Sequence, residues 1–132
     1  MNTSLLNCLA IGAAGFVGAL ARYGVVRLFG HWRWISATSF PWATLVINVT
    51  GSAFLGWFYT FMARRISGPA ADTVKLAIAT GFVGAYTTFS TYMFETDSLV
   101  AKGATYQAAA YLFGCLVLGL IGVRFGVIIG KI

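Results

Sequence analysis

Ionised side chains are placed along this chain so that four long windows contain none of them: residues 1–21, 34–63, 76–94 and 103–123. Each window is close to the roughly 20 residues that a helix needs to cross a hydrocarbon core. Inside lipid every backbone N–H and C=O must be satisfied within the protein, which restricts such segments to helices or a closed barrel. Windows of this length select helices. Composition agrees, because 59% of the 132 residues are hydrophobic and only 9% are charged, against about 25% charged in soluble domains.

The expectation is an all-α integral membrane protein with one four-helix transmembrane domain over residues 1–132 and spans near 5–28, 41–62, 74–99 and 104–129. Too few residues lie outside these spans for a catalytic or receptor domain. No enzymatic activity and no nucleic-acid partner are therefore expected, and membrane lipid is the surrounding medium. Residues 5–21 are apolar and end in small side chains, as a signal peptide does. No basic segment precedes them and three more spans follow, so they are expected to stay as the first span.

An even number of spans puts Arg64, Arg65, Lys75, Arg124 and Lys131 on one side and Arg22, Arg27, Arg33 and Lys102 on the other. The excess of basic residues that orients membrane proteins is here only one, so the chain is expected to insert both ways. Two inverted copies then form an antiparallel homodimer, equivalent to the inverted repeats that larger transporters carry in one chain. Orientation by one dominant pair, Arg64 and Arg65, stays open as an alternative.

Small residues follow helix faces: Gly12, Gly15 and Gly18 in the first span, and Gly122, Gly126 and Gly130 in the fourth. Such spacing lets helix backbones approach closely. The pentapeptide GFVGA occurs at Gly15 to Ala19 and again at Gly81 to Ala85, an identity that chance readily produces in so glycine-rich a sequence. Trp32, Trp34, Phe40 and Trp42 precede the second span and Trp57, Phe58, Tyr59 and Phe61 stand near its end, as interfacial aromatic belts do. His31 belongs to the first of these groups. One histidine with Cys8 and Cys115 far apart makes no side-chain metal site.

The polar residues inside the spans carry the functional question. Thr87, Thr88, Ser90 and Thr91 crowd around Phe89 at a depth where hydrocarbon cannot satisfy a hydroxyl, so they must face protein, water or an ion route. Gly81 and Gly84, followed by hydroxyl residues, weaken helix propensity, and the third span is expected to break near its middle. Broken helices expose carbonyls that hold cations and termini that face anions. Phe89 and Tyr92 add ring edges of positive partial charge, although packing at i,i+3 explains them equally. Asn48, mid-span, is either an interhelical hydrogen bond or a neutral donor to an anion. Arg22 is close enough to a span end to snorkel. Glu95, one turn beyond Thr91, is divided between bonding at a pathway mouth and titrating during transport. Nine basic residues against three acids favour an anionic ligand or anionic lipid.

GALARY at Gly18 to Tyr23, TLVINVTG at Thr44 to Gly51 and above all GFVGAYTTFSTY at Gly81 to Tyr92 make the chain, over nearly its whole length, resemble the Fluc (CrcB) fluoride channels. The resemblance implies an antiparallel, dual-topology homodimer in a bacterial inner or plasma membrane, with two pores that export fluoride passively and one structural sodium ion on the twofold axis. It implies that backbone carbonyls of Gly84 and Thr87 bind the sodium. It places Asn48, Phe89, Ser90, Thr91 and Tyr111 on the fluoride pathway, Arg22 in a vestibule and Glu95 just past the phenylalanine motif. Tyr92 stands where relatives carry a second phenylalanine, Cys115 where they carry a hydroxyl, and Ala85 where they carry glycine.

Two other classes compete. A small multidrug-resistance exporter needs an acid in its first span, and residues 1–28 contain none. A non-conducting assembly subunit would use all of this polarity for packing.

Overall fold

The computed structural model describes residues 2–31, 40–65 and 68–132, and every regular element among them is helical. Helix α1 runs over Thr3–His31 and α2 over Trp42–Arg65. The segment expected as a third span is assembled from pieces: α3 at Pro69–Lys75, a π-helical stretch at Leu76–Val83, a single α turn, α4, at Gly84–Tyr86, and α5 at Phe89–Ala101. The last helix, α6, covers Thr105–Ile129. Thr3–Gly30, α2 and α6 are each long and apolar enough to cross a membrane. Trp32, Arg33, Trp34 and Ser67, together with the His31 side chain, lie outside the described residues.

Helix starts follow local chemistry. Gly68 takes φ of 101°, a conformation that suits glycine, and Pro69 follows as the first residue of α3, where its missing N–H has no partner to lose. The helix thus begins five residues ahead of the expected span. Pro41 stands just before α2, and its carbonyl accepts from Leu45 N at 3.2 Å.

The interruption falls at the hydroxyl residues that follow the two glycines. Gly81 belongs to the π-helical stretch and Gly84 opens the α turn, so both remain helical. The chain leaves helical geometry at Thr87 (φ −79°, ψ 162°) and Thr88 (φ −152°, ψ 116°). β-Branched residues adopt extended backbone readily, whereas Gly81 is used for contact. Its absent Cβ would sit 2.6 Å from Ile11 O of α1.

Close backbone approach governs both main packing surfaces. On α1, a Cβ at Gly18 would strike Phe82 O, and one at Gly15 would lie 3.6 Å from Gly81 O, so the two GFVGA segments pack against each other. Gly12 has nothing within 4 Å. On α6, Gly122 faces Val49 O and Gly126 faces Ala53 O, and Gly130 just past the helix end faces Trp57 O. Four-residue steps on both helices show that α2 and α6 run parallel, which Arg64 Nη1 donating to Lys131 O at 2.6 Å confirms at their shared C-terminal end. Phe16, Phe94, Leu120 and Phe125 point outward, an arrangement that suits a hydrocarbon surround.

Candidate functional site

Asn48 is the hinge of the site. From the second turn of α2 its Nδ2 donates to Thr88 O at 3.1 Å while its Oδ1 accepts from Thr88 N at 2.9 Å. One carboxamide therefore satisfies both polar groups of the residue at which the helix is interrupted, and unpaired groups there would otherwise be costly. An amide nitrogen carries two protons. No second acceptor for Asn48 Nδ2 is found among the described residues.

Thr88 also caps α5. Its Oγ1 accepts from Thr91 N at 3.2 Å, donates to Thr91 Oγ1 at 3.0 Å and lies 3.4 Å from Ser90 Oγ. A hydroxyl at this position is a favoured helix start. The two capping contacts leave a mark on the preceding turn. Thr88 N and Thr91 N, which would bond Gly84 O and Thr87 O in a continuous helix, bond Asn48 Oδ1 and Thr88 Oγ1 instead. Gly84 is exposed, and Thr87 half-buried.

Two clefts meet at Thr88. One, of about 270 Å³, is lined by Asn48, Ser52, Thr88, Phe89, Tyr92 and Cys115 among others. The other, of about 350 Å³, includes Arg22, Tyr23, Thr44, Thr88 and Thr91. Phe89 is 72% exposed and Tyr92 is buried; their rings meet edge to face with centroids 6.0 Å apart. The Tyr92 hydroxyl donates to Leu112 O of α6 at 2.6 Å.

Behind Tyr92 the rings continue to Tyr111, fully buried, with centroids 5.2 Å apart. Tyr111 donates to Glu95 Oε2 at 2.6 Å, and Thr44 donates to Glu95 Oε1 at 3.1 Å. Glu95 thus joins α2, α5 and α6 through two hydroxyls. Its carboxylate also lines a cleft of about 320 Å³ with Pro41, Ser98, Leu99 and Lys102.

The structure therefore gathers Asn48, Phe89, Tyr92 and Cys115 around one cleft, puts Arg22 and Thr91 on the next, and ties Glu95 to Tyr111. Ser90 is exposed and touches Thr88 alone among these groups. Two residues were missed as individuals. Thr88 was read only as a member of the hydroxyl cluster, although threonine is a favoured first residue wherever a helix restarts. Thr44 lies one helical turn before Asn48 on the same face of α2, a spacing that was visible.

Helices of spanning length around an interrupted helix with a polar seam define the class: a small, all-helical integral membrane protein. The sequence profile described as "CrcB-like protein, Camphor Resistance (CrcB)" matches residues 9–127. The chain is 41% identical over 124 residues to a fluoride-specific ion channel FluC of Nitrobacter winogradskyi, covering 94% of each chain. It is 37% identical over 124 residues to one of Trichormus variabilis, covering 94% of this chain and 88% of that one. A fluoride-specific ion channel FluC 2 of Geobacillus kaustophilus is 42% identical over 113 residues, with 86% and 84% covered. The chain belongs to the CrcB family.

Proposed function

We propose that this protein is a fluoride-specific channel, a reading carried by the Asn48 carboxamide: bound to both polar groups of Thr88, it keeps one N–H to spare in the wall of the cleft shared with Phe89 and Tyr92. Fluoride is small and strongly hydrated, so a pathway must replace its water with donors. Neutral donors do this without trapping the ion as a full charge would. The Asn48 amide, the Thr91 hydroxyl and the positive edges of aromatic rings are groups of that kind. Arg22 lines the adjoining cleft and raises the local concentration of anions. The names of the relatives support the same ion.

The pieces from Pro69 to Ala101 act as the third, broken span beside α1, α2 and α6, and two copies associate antiparallel with two pores. The Gly84 and Thr87 carbonyls are suited to sodium on the shared axis, because both have lost their helical N–H partners and a hard cation takes oxygen ligands. Bound there, the ion would hold the two interruptions together. The lack of a large charge imbalance between the ends supports insertion in both orientations in a bacterial cell membrane.

The direct test is efflux from proteoliposomes followed with a fluoride electrode, with a potassium ionophore supplying counter-charge. Fluoride is expected to leave within the response time of the electrode while chloride, measured likewise, stays. Fluoride release no faster than from protein-free vesicles sinks the proposal.

Tyr92 sharpens it. Because its hydroxyl proton is given to Leu112 O, the ring alone remains for the ion. Tyr92→Phe is expected to keep fluoride flux within about twofold and to lower stability by about 1 kcal/mol, the net worth of one hydrogen bond. A tenfold change in flux, or a new chloride leak, would show that the hydroxyl itself contacts the ion.

A further inference from the structure

Glu95 raises a problem for any anion route that passes it. Its carboxylate is held by Thr44 and Tyr111, neither of which carries a formal positive charge, and it lines an open cleft. A carboxylate on the wall of an anion's approach repels the ion it is meant to admit. The same cleft contains a cation, Lys102, seven residues further along. Seven residues are two helical turns, about 10 Å, and return to the same face.

Lys102 is exposed and has no ion pair among the described residues; the pair found there is Lys75 with Asp72 at 3.3 Å. Asp97, also exposed, is two residues from Glu95 and does not share its face. The Lys102 ammonium is therefore not consumed by Glu95. It lines one cleft with Glu95, and behind that cleft Glu95 bonds the buried Tyr111, whose ring meets Tyr92 on the wall of the cleft at Asn48.

Resting on the channel reading above, we propose that Lys102 is an entry residue: its ammonium collects fluoride at this mouth and offsets the Glu95 charge, positioning the ion for the polar seam beyond. Charge at about 10 Å acts strongly when the screening length is about 30 Å, at about 10 mM salt, and scarcely at all when it is about 3 Å, at about 1 M. A lysine just past the last turn also suits the helix dipole. That role would affect stability alone and would not make transport depend on salt.

The test is initial fluoride efflux from proteoliposomes at about 1 mM fluoride, with ionic strength set at about 10 mM or about 1 M by salts of impermeant ions. At low ionic strength Lys102→Gln is expected to be about threefold slower than the unsubstituted protein and Lys102→Glu about tenfold slower, while Lys102→Arg keeps pace. At high ionic strength all four are expected to agree within about 1.5-fold. Equal rates at low ionic strength overturn the inference. So does a deficit of the same size at both ionic strengths, which would mark a structural role. An unsubstituted protein that passes no fluoride overturns both this inference and the channel reading, whereas an active one with insensitive variants overturns the inference alone.

Discussion

Asn48→Asp is expected to lower fluoride flux by at least about 100-fold while the protein still folds. The change preserves shape, and the carboxylate still accepts from Thr88 N as Oδ1 does now at 2.9 Å. It has no proton for Thr88 O, where Nδ2 now donates at 3.1 Å, and it adds a negative charge to the cleft wall. Two unit charges about 4 Å apart at an effective dielectric of about 20 interact by about 4 kcal/mol, and each 1.4 kcal/mol is about a factor of ten. The lower bound of 100-fold allows for partial protonation and screening. Asn48→Ala separates the two roles of the residue. It adds no charge but leaves the N–H and C=O of Thr88 unpaired, at about 1–3 kcal/mol each. The alanine variant should therefore be the less stable of the two and the aspartate variant the slower per folded molecule. Efflux rates normalised to monodisperse protein, with denaturation midpoints in detergent, distinguish them. An aspartate variant that conducts within threefold of the original places Asn48 outside the route.

What the sequence made legible is what the solvent dictates. Hydrocarbon leaves a charge nowhere to hide, so three of the uncharged windows overlap α1, α2 and α6, the helices long and apolar enough to cross a membrane. Close approach of helices needs small side chains at regular spacing, and Gly122, Gly126 and Gly130 marked a close-packed face whose partner, α2, only the structure identifies. The site was legible as a cluster of residue types and not as a set of partners. The weak helix formers from Gly81 to Thr91 pointed to a break near the middle of the segment without saying at which residue, because tertiary contact overrides propensity. Gly81 and Gly84 stay helical, Gly81 pressed against α1, and the break falls at two threonines. It is held there by Asn48, 40 positions away in the chain. Likewise Glu95 was readable as an acid near the end of an apolar window. That its two oxygens would be taken by Thr44 and Tyr111 depends on how three helices meet, which no local pattern encodes.

The glycines of α1 give the second large effect, and it divides residues that look alike in sequence. Gly12 and Gly18 occur in one run of small residues at three-residue spacing, yet a Cβ at Gly12 has nothing within 4 Å whereas one at Gly18 collides with Phe82 O and lies 3.0 Å from Phe82 C and 3.1 Å from its Cα. All three obstacles are backbone, so no rotamer change relieves them and α1 must move away from the π-helical stretch. Overpacking of this kind costs about 1–3 kcal/mol or more. The substitution also recovers part of the roughly 1 kcal/mol by which alanine exceeds glycine in a helix. Gly12→Ala is expected to be neutral or to stabilise by up to about 1 kcal/mol. Gly18→Ala is expected to destabilise by about 2 kcal/mol net. Displacement of Phe82 carries Gly84, Thr87 and Thr88 with it, only a few residues further along the same segment. Flux should fall in Gly18→Ala even where the protein survives extraction, because the Asn48 to Thr88 brace requires both partners in register. Denaturation midpoints and efflux from the two variants side by side provide the check. Equal behaviour of Gly12→Ala and Gly18→Ala would show that α1 is not seated on Phe82.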